Sequence, residues 1–126
     1  MPASTVIPVL GYDDVGEAIT WLCRTFGFAE RWRAGGHRAQ LAIGGGAVAL
    51  TERGDAAQQA EVMVRIDDVD AHHARACELG AEILREPADY PYGERQYTAA
   101  DPGGNHWTFS KTIADVAPEE WGGVTA

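Results

Sequence analysis

The sequence predicts an α+β fold built from two copies of one βαβββ unit, and three spacings carry that reading. The triplets Asp13-Asp14-Val15 and Asp67-Asp68-Val69 stand 54 positions apart, as do Cys23 and Cys77. The glycines that close the helical stretch after each triplet, Gly27 and Gly80, stand 53 apart. A repeat takes priority in reading a fold, because overlooking one misassigns every element. The 126 residues then make a single domain: module one over about 5–53, module two over about 60–111, and a C-terminal tail over 112–126.

The elements follow in order. Residues 6–10 open the chain as a strand. Asp14 caps a helix and Glu17, three residues on, completes a capping-box pattern. Ile19, Leu22 and Phe26 recur at helical spacing as a buried stripe, and Gly27 supplies the left-handed residue that stops the helix. Strands are expected at 29–33, 37–43 and 47–51, the last two joined by a hairpin turn at Gly44-Gly45-Gly46. The second unit begins with clean alternation over 61–66. Asp68 then caps a helix whose stripe, Val69, Ala76 and Leu79, is weaker and ends at Gly80. Strands at 82–85, 95–99 and 106–110 follow, with 87–93 as a long connection. The tail can form a short helix over 114–121 whose Trp121 suits docking.

Bulk properties exclude several classes. The chain is 45% hydrophobic and 23% charged, ordinary for a soluble protein, and no apolar run approaches the roughly 20 residues that cross a bilayer. The first ten residues lack a basic segment followed by an apolar one, so no secretory signal is expected. Both cysteines fall inside helical patterns, which reads as small buried side chains in a reducing cytoplasm. A net charge of −9 argues against a nucleic-acid partner, aids solubility, and mildly favours neutral or cationic small ligands. There is no Gly-x-Ser-x-Gly, and Gly44-Gly45-Gly46 opens a strand rather than a helix, so it is no phosphate loop.

The stretch Asp101-Pro102-Gly103-Gly104-Asn105, followed by the alternating His106 to Phe109, carries a resemblance. So do Ile7-Pro8-Val9-Leu10 through Phe26-Gly27-Phe28, and Arg65-Ile66-Asp67-Asp68-Val69-Asp70-Ala71. Together, over roughly 5–111, they resemble the vicinal oxygen chelate superfamily of glyoxalases, bleomycin-resistance proteins and extradiol dioxygenases. The resemblance implies two βαβββ modules forming a curved mixed sheet around a cavity, a homodimer, and in the enzymes a divalent metal. That metal is held by His, Gln or Glu from the first and last strands of each unit. Carried onto this chain, the ligand positions fall on Ile7, Ala49 (or Thr51), Glu61 and Thr108. Of these Glu61 alone is a fitting donor, and His106 adds a second only if the strands bring the two together. No metal or other cofactor is therefore expected.

The same positions set the strand phase. Ile7, Val9, Gly11, Glu61, Met63, Arg65, His106, Thr108 and Ser110 should face the cavity. Alternation adds Arg38, Gln40, Ala47, Ala49 and Thr51, with Leu41, Ile43, Val48 and Leu50 turned to the helices. The expected ligand-binding set is Trp32, Arg38, Gln40, Glu61, Met63, Arg65, Tyr92, His106 and Thr108. Trp32 and Tyr92 are candidate platforms for an aromatic ligand, although Trp32 can equally pack on an edge strand and Tyr92 more readily packs or hydrogen-bonds locally. Arg38 and Arg65 can meet Glu61, a ligand carboxylate or a surface partner. The resemblance then implies a metal-free small-molecule-binding protein of the bleomycin-resistance type, which sequesters an antibiotic or metabolite. The alternative is a metal-dependent lyase, isomerase or dioxygenase of the same fold, and a third reading is a domain that acts through its interfaces alone.

Overall fold

A computed structural model describes residues 6–53 and 59–122. The docking role expected of the Trp121 side chain lies outside the described residues. Among the described residues eight strands and two helices follow one another as β1 (Val9–Tyr12), α1 (Val15–Phe26), β2 (Ala29–Ala34), β3 (Arg38–Ile43), β4 (Gly46–Glu52), β5 (Glu61–Arg65), α2 (Val69–Glu78), β6 (Glu82–Tyr90), β7 (Glu94–Ala100) and β8 (His106–Thr112). A short 3-10 helix, Pro118–Trp121, lies beyond them. The strands form two four-stranded mixed sheets of identical topology, β1-β4-β3-β2 and β5-β8-β7-β6. In each, the first strand runs parallel to the last through its helical crossover, and the other pairs are antiparallel. The expected α+β duplication is therefore present, with the curved sheet divided into two hydrogen-bonded halves.

Local chemistry explains the helices. Asp14 Oδ1 accepts from Glu17 N at 2.9 Å and Asp68 Oδ1 from Ala71 N at 3.0 Å, satisfying donors that an N-terminus leaves unpaired. Gly27, at φ 80°, ends α1 and returns its N–H to the Cys23 carbonyl. Helix α1 buries Val15, Ala18, Ile19, Leu22 and Phe26, whereas α2 buries Val69 and Ala76.

Three expectations need correction. Strand β1 starts at Val9 instead of residue 6, because its ladder with β4 runs from Val9 opposite Ala49 to Tyr12 opposite Glu52. Strand β6 continues to Tyr90 through what was expected to be a connection. Two register irregularities, between Ile83 and Arg85 and between Arg85 and Ala88, absorb the extra residues, and Pro87 is tolerated on this edge strand. Finally, Cys23 is half-buried against the core but Cys77 is exposed, so Cys77 is not a core side chain. The narrow buried stripe of α2 leaves Cys77 beside it.

Helices and inward strand residues share one core, with Leu10, Leu22, Leu41, Leu50, Trp107 and Phe109 almost fully buried. Aromatic rings join the modules: Phe26 lies 4.8 Å from Phe109 and Phe28 lies 5.1 Å from Trp107, centroid to centroid. His72 sits in this seam. Its Nε2 faces the Phe26 carbonyl at 3.0 Å, which can only accept, so the proton resides on Nε2 and Nδ1 accepts from the Tyr97 hydroxyl. Burial depresses the His72 pKa, in keeping with this neutral form.

The second junction is the Asp101 carboxylate, which is buried and accepts four hydrogen bonds. Gly103 N (2.9 Å) and Asn105 N (3.0 Å) come from its own turn, Trp107 Nε1 (2.9 Å) from β8, and Tyr12 Oη (2.5 Å) from the other module. Burial first, and the neighbouring carboxylate second, push the Tyr12 pKa far up, so its hydroxyl remains a donor. Gly103 must lack a side chain, since a Cβ there would stand 2.7 Å from the Tyr12 ring.

Two measurements test these junctions. Asp101→Ala should cost about 3 kcal/mol or more in urea unfolding, because it strands several buried donors. Tyr12→Phe, which removes one donor, should cost about 1 kcal/mol. For His72 the folded pKa lies below the unfolded one, so its contribution is complete above about pH 6.5 and falls away as pH drops toward the folded value. Urea midpoints between about pH 7.5 and pH 5.5 should therefore decline, and His72→Gln should flatten that decline.

Candidate functional site

Alternation gives each sheet a second face that no helix covers. Across the first sheet one cross-strand row reads Val9, Ala49, Gln40, Trp32. The matching row of the second reads Met63, Thr108, Thr98, Arg85. Gln40, Ala47 and Ala49 belong to this open side, while Ala39, Leu41, Val48 and Leu50 are in the core cluster, as the alternation predicts.

Two bulges complete the rows. In β2, Glu30 stands opposite Leu41 on the core side, yet Trp32 stands opposite Gln40 on the open side. Without the bulge between them, residues two apart would share a face. In β6, Ile83 stands opposite the core residue Ala99 and Arg85 opposite Thr98, by the same device. Trp32 and Arg85 are 53 positions apart, the offset of Gly27 and Gly80, so the two bulges are equivalent features of the repeat.

The second open face holds a pocket of about 340 Å³ lined by Glu61, Leu84, Arg85, Thr98, His106 and Thr108. Thr98 and Thr108 join hydroxyls across it at 2.8 Å. Next to the pocket runs a chain of hydrogen bonds: Tyr92 Oη donates to Gln96 Oε1 (3.0 Å), Gln96 Nε2 to Ser110 Oγ (3.1 Å), and Ser110 Oγ to Glu94 Oε1 (2.8 Å). Arg65 Nη1 closes the chain on Glu94 Oε1 at 2.9 Å and on Thr112 Oγ1 at 2.7 Å. Hydrogen bonds from Thr112 and Ser110, with the Arg65 guanidinium, hold the Glu94 carboxyl below the usual carboxylate range. Tyr92 also stacks on Tyr90, with centroids 5.5 Å apart.

The sequence-predicted residues thus divide. Glu61, His106 and Thr108 line the pocket, and Met63 stands opposite Thr108 on the free edge. Trp32, Arg38 and Gln40 share the open face of the first sheet. Of the partners open to Arg65, the structure shows a surface ion pair, with Glu94. Tyr92 caps the polar chain at the β6–β7 turn, away from the pocket lining. Sequence reasoning missed Leu84 and Arg85, since nothing in the alternation of 82–85 signals a bulge, and Thr98, since the strand at 95–99 was given no phase.

The positions that would hold a metal offer little. Ile7, Ala49 and Thr108 are poor donors, which leaves Glu61. His106 is its cross-strand neighbour, with Nδ1 3.9 Å from Glu61 Oε1. Two donors do not make a closed site, and among the described residues no group of three His, Cys, Asp or Glu converges. The donor set does not fit a resident metal. No helix among the described residues is long and apolar enough to cross a membrane.

Comparison with known proteins agrees with this geometry. The family model described as Glyoxalase/Bleomycin resistance protein/Dioxygenase superfamily matches residues 6–109. TioX from Micromonospora sp. ML1 is similar in structure, with 31% identity, a TM-score of 0.76, and 89% of this chain and 98% of that one covered. Lactoylglutathione lyase from Agrobacterium tumefaciens shares the fold at 20% identity and a TM-score of 0.73, with 98% and 100% covered. An uncharacterised protein of Mycobacterium bovis is 27% identical over 131 residues, 90% of this chain and 86% of that protein.

Proposed function

This chain belongs to the Glyoxalase/Bleomycin resistance protein/Dioxygenase superfamily, and we propose that it binds a small, flat organic molecule in the cytoplasm without transforming it. The pocket over Thr98 and Thr108 is the observation that supports this reading. Its walls offer hydrogen-bonding groups, an apolar flank at Leu84 and charged groups at the rim, which is what orients a small ligand. The positions that would carry metal chemistry are occupied by Ile7, Ala49 and Thr108. Shape, stacking on Trp32 and a few hydrogen bonds would then supply the binding, as in a protein that sequesters an antibiotic or metabolite.

A screen of planar metabolites and antibiotics by thermal shift tests this. A true ligand should raise the midpoint by mass action, and Trp32→Ala should weaken it by about tenfold. The contact between Glu61 and His106 favours a second reading, a metal-dependent lyase, isomerase or dioxygenase. A stoichiometric divalent ion in the purified protein, lost on Glu61→Ala, would replace the first reading with the second.

A second copy of the chain completes the cavity in this proposal. Strands β1 and β5 are free edges of their sheets, and at equivalent positions they expose Val9 (55%) and Met63 (59%), with Ile7, Trp32 and Leu84 also exposed. Apolar side chains of this size on two open faces suit burial against a like surface, worth about 1.5–3 kcal/mol for each one fully covered. Light scattering should report a dimer at micromolar concentration, and the Val9→Lys, Met63→Lys double variant should be a folded monomer. A monomeric parent protein would remove the second copy from the proposal.

A further inference from the structure

We propose that Arg85 anchors a carboxylate, so that the ligand is a planar organic anion; this rests on the small-molecule reading above. The bulge in β6 turns Arg85 onto the open face opposite Thr98, where it lines the pocket beside Leu84. Among the described residues no hydrogen bond or ion pair holds its guanidinium, whereas Arg65 on the same face is committed to Glu94 and Thr112. Glu94 is in turn engaged by Ser110 and Arg65. Glu61, the carboxylate in the lining, is on the opposite edge strand beside His106. Three strand spacings, about 14 Å, separate β5 from β6, so an anion at Arg85 lies well away from Glu61.

The repeat supports the same assignment. Arg85 and Trp32 are equivalent positions, each brought to an open face by an equivalent bulge. One module presents a flat ring there and the other a planar cationic fork, which matches a carboxylate through two parallel hydrogen bonds. Arg38, on the open face with Trp32, also has no partner among the described residues. The net charge of −9 favours cations at long range, but ionic screening confines that field to about 8–10 Å. At contact distance the unpaired guanidinium decides.

Naphthoate, neutral naphthamide and naphthylmethylammonium are suitable probes by titration calorimetry of the full chain. The parent protein should bind naphthoate about tenfold more tightly than naphthamide, and the ammonium compound most weakly. Arg85→Gln should bring naphthoate and naphthamide to within about twofold of each other, and Arg85→Lys should keep part of the preference. Arg85 is exposed on an edge strand, so both variants should unfold at the parent midpoint. Equal binding of naphthoate and naphthamide by the parent protein, or a preference that survives Arg85→Gln, would overturn the carboxylate assignment and leave the small-molecule reading standing. Failure of all three probes to bind would count against the small-molecule site itself.

Discussion

The Asp101 carboxylate is the point through which the two modules constrain each other. A buried charge of this kind is tolerable only when fully hydrogen-bonded, and its four donors come from three places: its own turn, β8 and Tyr12 of the other module. The turn is thereby fixed, β8 leaves it in one register, and β1 is held at its far end. Arg53 reinforces the junction by donating to the carbonyls of Gly11 and Gly103. The aromatic seam of Phe26, Phe28, His72 and Phe109 then brings the two helices together on one side.

That packing determines where a site can exist. Once the helices occupy one face of each sheet, the other faces are the remaining concave surface, and their residues follow from strand register alone. The family to which the chain belongs is described by several different activities, and the scaffold does not choose among them. The side chains do. Ile7, Ala49 and Thr108 offer no strong donor to an ion, while Thr98, Thr108, Gln96 and Ser110 leave a wall of paired hydroxyl and amide groups.

Much of this was legible in the sequence. The repeat offset located both helices and their caps, and alternation separated Leu41, Val48 and Leu50 from Gln40, Ala47 and Ala49. What failed traces to bulges, an edge-strand proline, a weak stripe and contacts between distant strands. A bulge breaks the period of two, so Leu84 and Arg85 could not be assigned to the pocket from their spacing. Pro87 suggested a loop because an edge strand tolerates proline as readily as a turn does. Cys77 was misplaced because the stripe of α2 consists of little more than Val69 and Ala76. The partner of Arg65 was missed because Glu94 is distant in sequence and meets it only after β8 pairs with both β5 and β7.

The hydrogen-bonded chain from Tyr92 through Gln96, Ser110 and Glu94 to Arg65 also bears on how quickly anything can bind. Its members already satisfy one another, so the surface beside the pocket is already ordered, and in the binding role proposed above little rotamer entropy would remain to be lost there. Encounter with such a surface is governed by diffusion and orientation, which differ little among molecules of similar size. In the proposed binding role discrimination would then rest on residence time, and related compounds would be sorted by how slowly they leave.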